Sequence, residues 1–384
     1  MKTIRVLHII TGLAVGGAEM MLYKLLSNMD LDKFKSVVIS LKSAGKIGTR
    51  ISNLGIKVES LKMNGQLPSL ASMSKLSRIT WQFKPDLVQG WMYHGNLAAQ
   101  FASMLSMHKV PTLWNIRRTP YHLKKEKILR AGLIRLSGYL SKLPDITLYN
   151  SKVSAQLHNK IGYDTNKSLV IPNGFDTEVF MPSDFAKSDV RSELGLSHNT
   201  ILIGLVARYD PMKDHKNFLL AASHLLRSHP GVHFLLVGRN VNQKNQDLVE
   251  WISKLRIGKN IHLLGERTDI PRLTASLNLA CLSSYGEGFP NAIGEAMSCG
   301  VPCVVTSVGD MPYIVGNTGK IVPPKEPIKL ANELANLLSL PNQMLRDLGA
   351  KARKRIEQNF SLDHITESYS DLYEKMTIGK GKRP

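Results

Sequence analysis

Asn278-Leu279-Ala280-Cys281-Leu282 leads, four residues later, into Glu287-Gly288-Phe289-Pro290-Asn291-Ala292-Ile293-Gly294-Glu295. The first run is short, apolar and reads as a buried strand, while Ala292 to Ser298 reads as a helix. Gly288 and Pro290 make the intervening residues a turn. Glu287 therefore falls in a strand-to-helix loop, and Glu295 one turn into the helix. The first N–H groups of that helix have no partner within it and are free to hold an anion or a hydroxyl-rich ligand. In an open α/β sheet, ligands bind at such carboxyl ends of strands. The plainer reading is a charge at a helix start and a solvent-facing glutamate.

The same alternation extends in both directions. Apolar runs recur at Val6–Ile10, Val37–Leu41, Leu87–Gln89, Thr112–Trp114, Ile146–Leu148 and Leu169–Ile171. A second set follows at Ile201–Val206, Phe234–Val237, Ile261–Leu264, Leu277–Leu282 and Cys303–Thr306. Helical patterns such as Met20–Asn28, Phe218–Ser228 and Leu330–Leu338 separate many of them. Strands alternating with helices imply parallel, doubly wound α/β sheets, and two sets imply two Rossmann-like domains. The polar stretch from Pro182 to Ser197 reads as the junction. It places an N-terminal domain at 1–183 and a C-terminal domain at 184–361, with a last helix expected to pack back toward the N-terminal domain and a basic tail over 362–384.

At 384 residues the chain suits two domains of about 180 each. Its 43% hydrophobic and 21% charged residues describe a packed globular protein. No run of 18 apolar residues occurs, and the apolar N-terminus is broken by His8, Gly12 and Glu19, so it reads as a first strand and not a signal peptide. Three cysteines, Cys281, Cys299 and Cys303, suit a reducing compartment and flank an apolar strand, which favours buried small hydrophobes over a metal pair. The net charge is +20. Residues 1–183 hold 25 Lys and Arg against 10 Asp and Glu, and the remainder 25 against 20. A basic half implies an anionic partner: nucleic acid, an acidic membrane surface or a phosphorylated substrate.

Further constellations sit at strand ends. Gly12 through Glu19 follows the first strand, and its Gly16-Gly17 pair opens the next helix, a place where backbone can approach a phosphate. The spacing is not G-x-G-x-x-G, and Ser40-Leu41-Lys42 lacks the acid a dinucleotide ribose needs, so nicotinamide and flavin cofactors are disfavoured. Arg208 and Lys213 bracket Tyr209-Asp210-Pro211-Met212, where two cations five residues apart can grip a diphosphate or simply face solvent. His94 follows a strand and opens a helix, which is either a ligand edge or a structural position. Asp30-Leu31-Asp32 follows a helix and not a strand, so no metal site is expected there.

In order and spacing these pieces resemble the retaining glycosyltransferases of family 4, over almost the whole chain. Gly16-Gly17-Ala18-Glu19 is similar to the family's glycine loop, Arg208 and Lys213 to its Arg/Lys pair, and Glu287 to Glu295 to its E-x7-E motif. Asn150-Ser151 and Ile171-Pro172-Asn173-Gly174-Phe175-Asp176 match signatures before the linker. The resemblance implies a GT-B fold: two Rossmann-like domains with an interdomain cleft. It implies that Glu295 binds the ribose hydroxyls of a nucleotide sugar and that Arg208 and Lys213 neutralise the departing diphosphate. It further implies that Glu287 orients the sugar, that backbone of Phe289, Pro290 and Asn291 faces sugar and phosphate, that Gly16 and Gly17 close on the diphosphate, and that His94 lies by the transferred sugar. The donor implied by family frequency is a UDP-sugar, with no cofactor and no metal. One departure is Tyr313, in Val308-Gly309-Asp310-Met311-Pro312-Tyr313, where the family often has a glutamate.

Residues 117–142 carry Arg117, Arg118, Lys124, Lys125, Lys127, Arg130, Arg135 and Lys142 against Glu126 alone, interleaved with Leu123, Ile128, Leu129, Leu133, Ile134, Leu136, Tyr139 and Leu140. Such a basic amphipathic helix lies on an anionic leaflet or is a core helix with a solvated face. The first alternative makes the protein cytoplasmic and peripheral at the inner face of the membrane, with a saccharide or lipid-linked acceptor. The rival functions are a GT-B epimerase or phosphorylase and, more remotely, a nucleic-acid-binding protein, for which no aromatic-basic recognition motif is present.

Overall fold

A computed structural model describes residues 3–63, 69–106, 110–121, 123 and 127–378. Lys124, Lys125 and Glu126 of the basic stretch, and the tail over 379–384, lie outside the described residues. The chain divides into two units, residues 1–174 with 362–384, and residues 175–361.

Among the described residues the first unit holds seven strands: β1 (Ile4–Ile10), β2 (Phe34–Ser40), β3 (Lys57–Ser60), β4 (Leu87–Trp91), β5 (Thr112–Ile116), β6 (Ile146–Tyr149) and β7 (Ser168–Val170). Their order is β3-β2-β1-β4-β5-β6-β7, with every neighbouring pair parallel. The connecting helices are α1 (Gly17–Asn28), α2 (Gly45–Ser52), α3 (Leu70–Phe83), α4 (Met92–Met104), α5 (Ile128–Leu140) and α6 (Lys152–Ile161). Strands β4 and β5 are buried at every residue, as a parallel sheet covered on both faces requires.

The second unit repeats the plan. It begins with α7 (Asp184–Glu193), followed by β8 (Leu202–Val206), α8 (His215–Leu225), β9 (His233–Val237), α9 (Gln246–Leu255) and β10 (Ile261–Leu263). Then come α10 (Ile270–Ala275), β11 (Leu279–Leu282), α11 (Asn291–Ser298), β12 (Cys303–Thr306), α12 (Met311–Val315), β13 (Lys320–Val322), α13 (Pro327–Leu338) and α14 (Asn342–Asn359). The parallel sheet runs β10-β9-β8-β11-β12-β13. In both sheets the order reverses beside the first strand, between β1 and β4 and between β8 and β11. Those are the switch points where α/β sheets bind ligands.

The boundary falls at Gly174/Phe175, nine residues before the expected 183/184, and residues 182–197 are not a linker. Phe175 and Phe180 belong to the second core, and Arg353 ties residues 175–183 down by donating to the carbonyls of Thr177 and Phe180. The polar stretch forms α7, with the Ser183 hydroxyl capping it through the Ala186 N–H. Its buried face includes Ala186, Val190 and Arg191. The Arg191 guanidinium is satisfied by the carbonyls of Lys187, Thr200 and Ser276 and by the Asn278 side chain, so a polar composition conceals a packed helix.

The last helix, α15 (Leu362–Ile378), returns to the first unit. Leu362, Ile365, Tyr369, Leu372 and Tyr373 are buried there among Val6, Ile10, Phe34, Leu87 and Trp91. Tyr369 stacks on Trp91 at 6.5 Å, and the Asn115 amide donates to the Tyr369 hydroxyl at 3.0 Å. The Tyr373 hydroxyl donates to the Gln89 side-chain oxygen.

Each unit also buries a histidine that titrates at low pH. Burial lowers His158 in the first unit and His215 in the second to about 4. The unfolded chain, with ordinary imidazoles near pH 6.5, binds these protons first. Stability is therefore present above about pH 6.5 and falls as pH drops towards 4, by roughly 3 kcal/mol per histidine. Urea midpoints measured between pH 7 and pH 4 check this; a flat profile through that window would contradict it.

Candidate functional site

The second unit's site grows from the ends of β8 and β11. After β8 the chain passes Arg208 and Tyr209 into a tight turn over Pro211–Lys213. Asp210 caps that turn, its carboxylate accepting from the Met212 N–H at 3.0 Å, and Pro211 takes the first position, where a missing N–H costs nothing. The same carboxylate accepts from the Arg208 guanidinium at 2.9 Å. Burial alone pushes Asp210 up, but the Met212 N–H and the charges of Arg208 and Lys213 outweigh it and hold the acid below its usual range.

The loop after β11 is stitched to that turn. The Tyr285 N–H donates to the Met212 carbonyl at 2.9 Å, and the Ser283 hydroxyl to the Lys213 carbonyl at 3.0 Å. Lys213 Nζ lies 2.5 Å from Glu287 Oε1, which also accepts from the Ser284 hydroxyl at 2.7 Å. Lys213 and Glu287 are 18% and 9% exposed, so this is a nearly buried ion pair joining the two switch-point loops. Gly309 supports the loop from below: its φ is +57°, and a Cβ there would fall 2.1 Å from the Glu287 carbonyl oxygen.

Helix α11 begins immediately afterwards. Pro290 stands at its cap position without a side-chain hydrogen bond. Glu295 is half-buried in the second turn. Phe289 is only 7% exposed and packs between Phe175 and Phe360, each with ring centres at 5.9 Å. Its side chain is core, and only its backbone is available for binding. Asn291 is exposed. Tyr313, the departure from the expected glutamate, packs edge-on against Phe360 at 5.5 Å and is held by Arg355, which donates to its carbonyl.

In the first unit Gly16 caps α1 and Gly17 is its first residue, with no side-chain cap. Glu19 folds over Gly16, so that a Cβ there would meet its carboxylate at 2.4 Å, and burial raises the Glu19 pKa. His94 lies in the first turn of α4, directly after β4. Helix α4 presses against β1, where a Cβ on Gly95 would come 2.5 Å from the Ile9 carbonyl oxygen. His94 is half-buried and faces an apolar cavity of this unit. Burial lowers its pKa, and the charges of Lys42 and Arg130 lower it further, so the ring is neutral near pH 7.

The structure thus brings Lys213 and Glu287 into direct contact, with Arg208 and Glu295 on the same unit's switch-point elements. Gly16, Gly17 and His94 occupy the corresponding positions of the other unit. Two participants escaped the sequence reading, Ser284 and Asp210. Asp210-Pro211 carried a signal for one of them, an acidic cap followed by proline. The three cysteines are free and buried, and among the described residues no group of three or more His, Cys, Asp or Glu comes together as a metal site. Nor is any helix among them long and apolar enough to cross a membrane.

Known proteins align with both units. The family model for Glycosyltransferase Family 4 matches residues 15–179, and that for Glycosyl transferases group 1 matches residues 186–355. An Escherichia coli protein named UDP-Gal:alpha-D-GlcNAc-diphosphoundecaprenol alpha-1,3-galactosyltransferase is 29% identical over 222 residues, 56% of each chain. The D-inositol 3-phosphate glycosyltransferase of Segniliparus rotundus is 28% identical over 219 residues, 55% of this chain and 48% of that one. The chain spans about half the length of these curated relatives. The solved structure of Anabaena Alr3699/HepE in complex with UDP superposes with a TM-score of 0.82 at 23% identity, over 97% of this chain and 100% of that chain. The last establishes a two-domain α/β GT-B fold.

Proposed function

The chain belongs to glycosyltransferase family 4, and on that premise we propose that it moves a sugar, with retention of configuration, from a nucleoside diphosphate sugar to a saccharide or lipid-linked acceptor in surface polysaccharide or glycolipid synthesis. The observation that carries the reading is the Lys213–Glu287 pair joining the two loops at the switch point of the second unit. In this reading the cation stands where a diphosphate leaves and the carboxylate where sugar hydroxyls are held.

In this reading Arg208 and Lys213 stabilise the negative charge that develops as the diphosphate departs, a differential interaction that accelerates the chemical step. Glu287 accepts hydrogen bonds from the sugar while Lys213 turns part of its charge to the phosphate. Glu295 accepts from the ribose hydroxyls. The backbone of Phe289, Pro290 and Asn291, at the start of α11, faces sugar and phosphate, Pro290 offering only its carbonyl. On the first unit, Gly16 and Gly17 are assigned backbone contact with a phosphate, and neutral His94 contact with a sugar. No residue is assigned as a covalent nucleophile. The Escherichia coli relative is named for a UDP-sugar donor and a diphosphoundecaprenol-linked acceptor, and the solved neighbour is a complex with UDP, which together support UDP as the nucleotide. The outer face of α5 exposes Ile128, Leu129, Leu136 and Tyr139 beside Lys127, Arg130 and Arg135, which supports peripheral attachment to the anionic inner leaflet of the cell membrane.

The test is stabilisation by nucleotide. UDP at a hundredfold excess over its dissociation constant raises stability by about 2.7 kcal/mol, and GDP and ADP do so less at equal concentration. Glu295→Ala weakens UDP binding by about 1–3 kcal/mol, the scale of a lost hydrogen bond to a charged group. A melting temperature unmoved by all three nucleotides would remove the reading.

A further inference from the structure

Helix α5 carries more apolar surface than its own core uses. Ala131, Ile134 and Gly138 form its buried side. Leu129, Leu133 and Leu136, spaced so that they share a second face, turn instead to a cavity of about 960 Å³. Its far walls include Leu76 from α3 and Leu97 and Phe101 from α4. That volume lies near the top of the roughly 300–1,000 Å³ range of sites that enclose small molecules. A cavity walled this way holds an apolar guest in preference to water, because water finds too few polar partners.

The opening and its charge narrow the guest. Leu129 is 68% exposed and Leu136 50%, so the cavity meets solvent along α5. Ser72, one polar group on the wall, is engaged by Ser69 at 2.9 Å. His94 is another, at the start of α4, with the cations of Lys42 and Arg130 close enough to act on it. Lys127 and Arg135 are exposed on the same helix as the opening. An apolar interior with a cationic mouth complements an amphiphile with one hydrocarbon chain and an anionic head.

We propose that this cavity holds the hydrocarbon chain of a single-chain lipid phosphate, the anchor of the acceptor, with the phosphate at His94, Lys42 and Arg130. The inference rests on the transferase reading only for the word acceptor. It deepens that reading by making the acceptor a lipid and not a free saccharide, and by giving α5 a second task besides lying on a leaflet: to admit the chain from the membrane.

Calorimetric titration of the full chain tests it with three probes: farnesyl diphosphate, farnesol and inorganic diphosphate. Farnesyl diphosphate binds tighter than either half alone. Ala98→Trp, which fills the cavity from α4, and Leu129→Ser/Leu136→Ser, which changes only partly exposed positions, each weaken it about tenfold or more, the scale of a few methylenes lost from an apolar site. Both variants keep the melting temperature rise with UDP, which shows them folded and leaves the donor reading intact. Farnesyl diphosphate binding equal to that of inorganic diphosphate, or unchanged in both variants while UDP still stabilises, overturns the lipid cavity and spares the transferase. Self-association of the wild-type chain that is abolished by Leu129→Ser/Leu136→Ser, without farnesyl diphosphate binding, overturns it in favour of a second copy on this face.

Discussion

Lys213→Ala lowers kcat by a factor of about 100 to 1,000 while changing the KM for the nucleotide sugar far less. The magnitude is that of removing one preorganised group aimed at developing charge. The split follows because the diphosphate bears more charge in the transition state than in the bound donor, so the lost interaction is one realised chiefly there. The same substitution has a structural cost, which must be separated. Glu287 is 9% exposed, and without Lys213 its carboxylate keeps the Ser284 hydroxyl but loses the Lys213 ammonium. Breaking a buried pair by removing one partner costs about 3–5 kcal/mol, and the partial exposure of Lys213 brings the expected loss to about 2 kcal/mol. The double variant Lys213→Ala/Glu287→Gln distinguishes the two effects. Removing the carboxylate's charge returns the melting temperature towards that of the wild type, yet turnover stays low. Turnover that recovers with stability would mean that Lys213 only holds the loop, and full turnover in Lys213→Ala alone would end its assigned role in the leaving-group step.

The loops that make this site were legible because each carries a local mark. Glycines open α1, an Asp-Pro pair starts the turn after β8, and Gly-Phe-Pro separates β11 from α11. The pairing of Lys213 with Glu287 was not legible, since the two are joined through the sheet order and not through proximity in sequence. Central strands were read from their β-branched runs, but β3 (Lys57–Ser60) and β13 (Lys320–Val322) were missed. Both are edge strands of three or four residues with lysine in them, and periodicity has little to act on at that length. The error over α7 has the opposite cause. Its buried face is narrow and one of its buried residues is Arg191, so composition suggested a linker where packing and four hydrogen bonds to one guanidinium make a helix. The cavity of the first unit was invisible for a third reason. Leucines that line a void and leucines that fill a core have the same spacing.

Deletion of residues 362–384 abolishes cooperative folding of the first unit while leaving that of the second. Helix α15 contributes Leu362, Ile365, Tyr369, Leu372 and Tyr373 to the first unit's core, each no more than 8% exposed. At about 1.5–3 kcal/mol for each large apolar side chain, their burial is worth on the order of 10 kcal/mol, comparable with the whole stability of an ordinary domain. The deletion also takes the Tyr373 hydroxyl from the Gln89 side-chain oxygen and the Tyr369 hydroxyl from the Asn115 side-chain amide, both residues wholly buried, at about 1–3 kcal/mol for each group left unsatisfied. The second unit keeps Ser361, which bridges Phe175, and therefore keeps its own closure. Calorimetry should lose the transition of the first unit and retain one that UDP still raises. Two smaller changes grade the effect: Tyr373→Phe removes only the donor to Gln89 and costs about 1–3 kcal/mol, whereas Tyr369→Ala opens a cavity beside Trp91 and costs about 3–5 kcal/mol. A truncated chain that retained both transitions would show that α15 merely rests on the sheet, and the first unit would then have to find its stability in residues 1–174 alone.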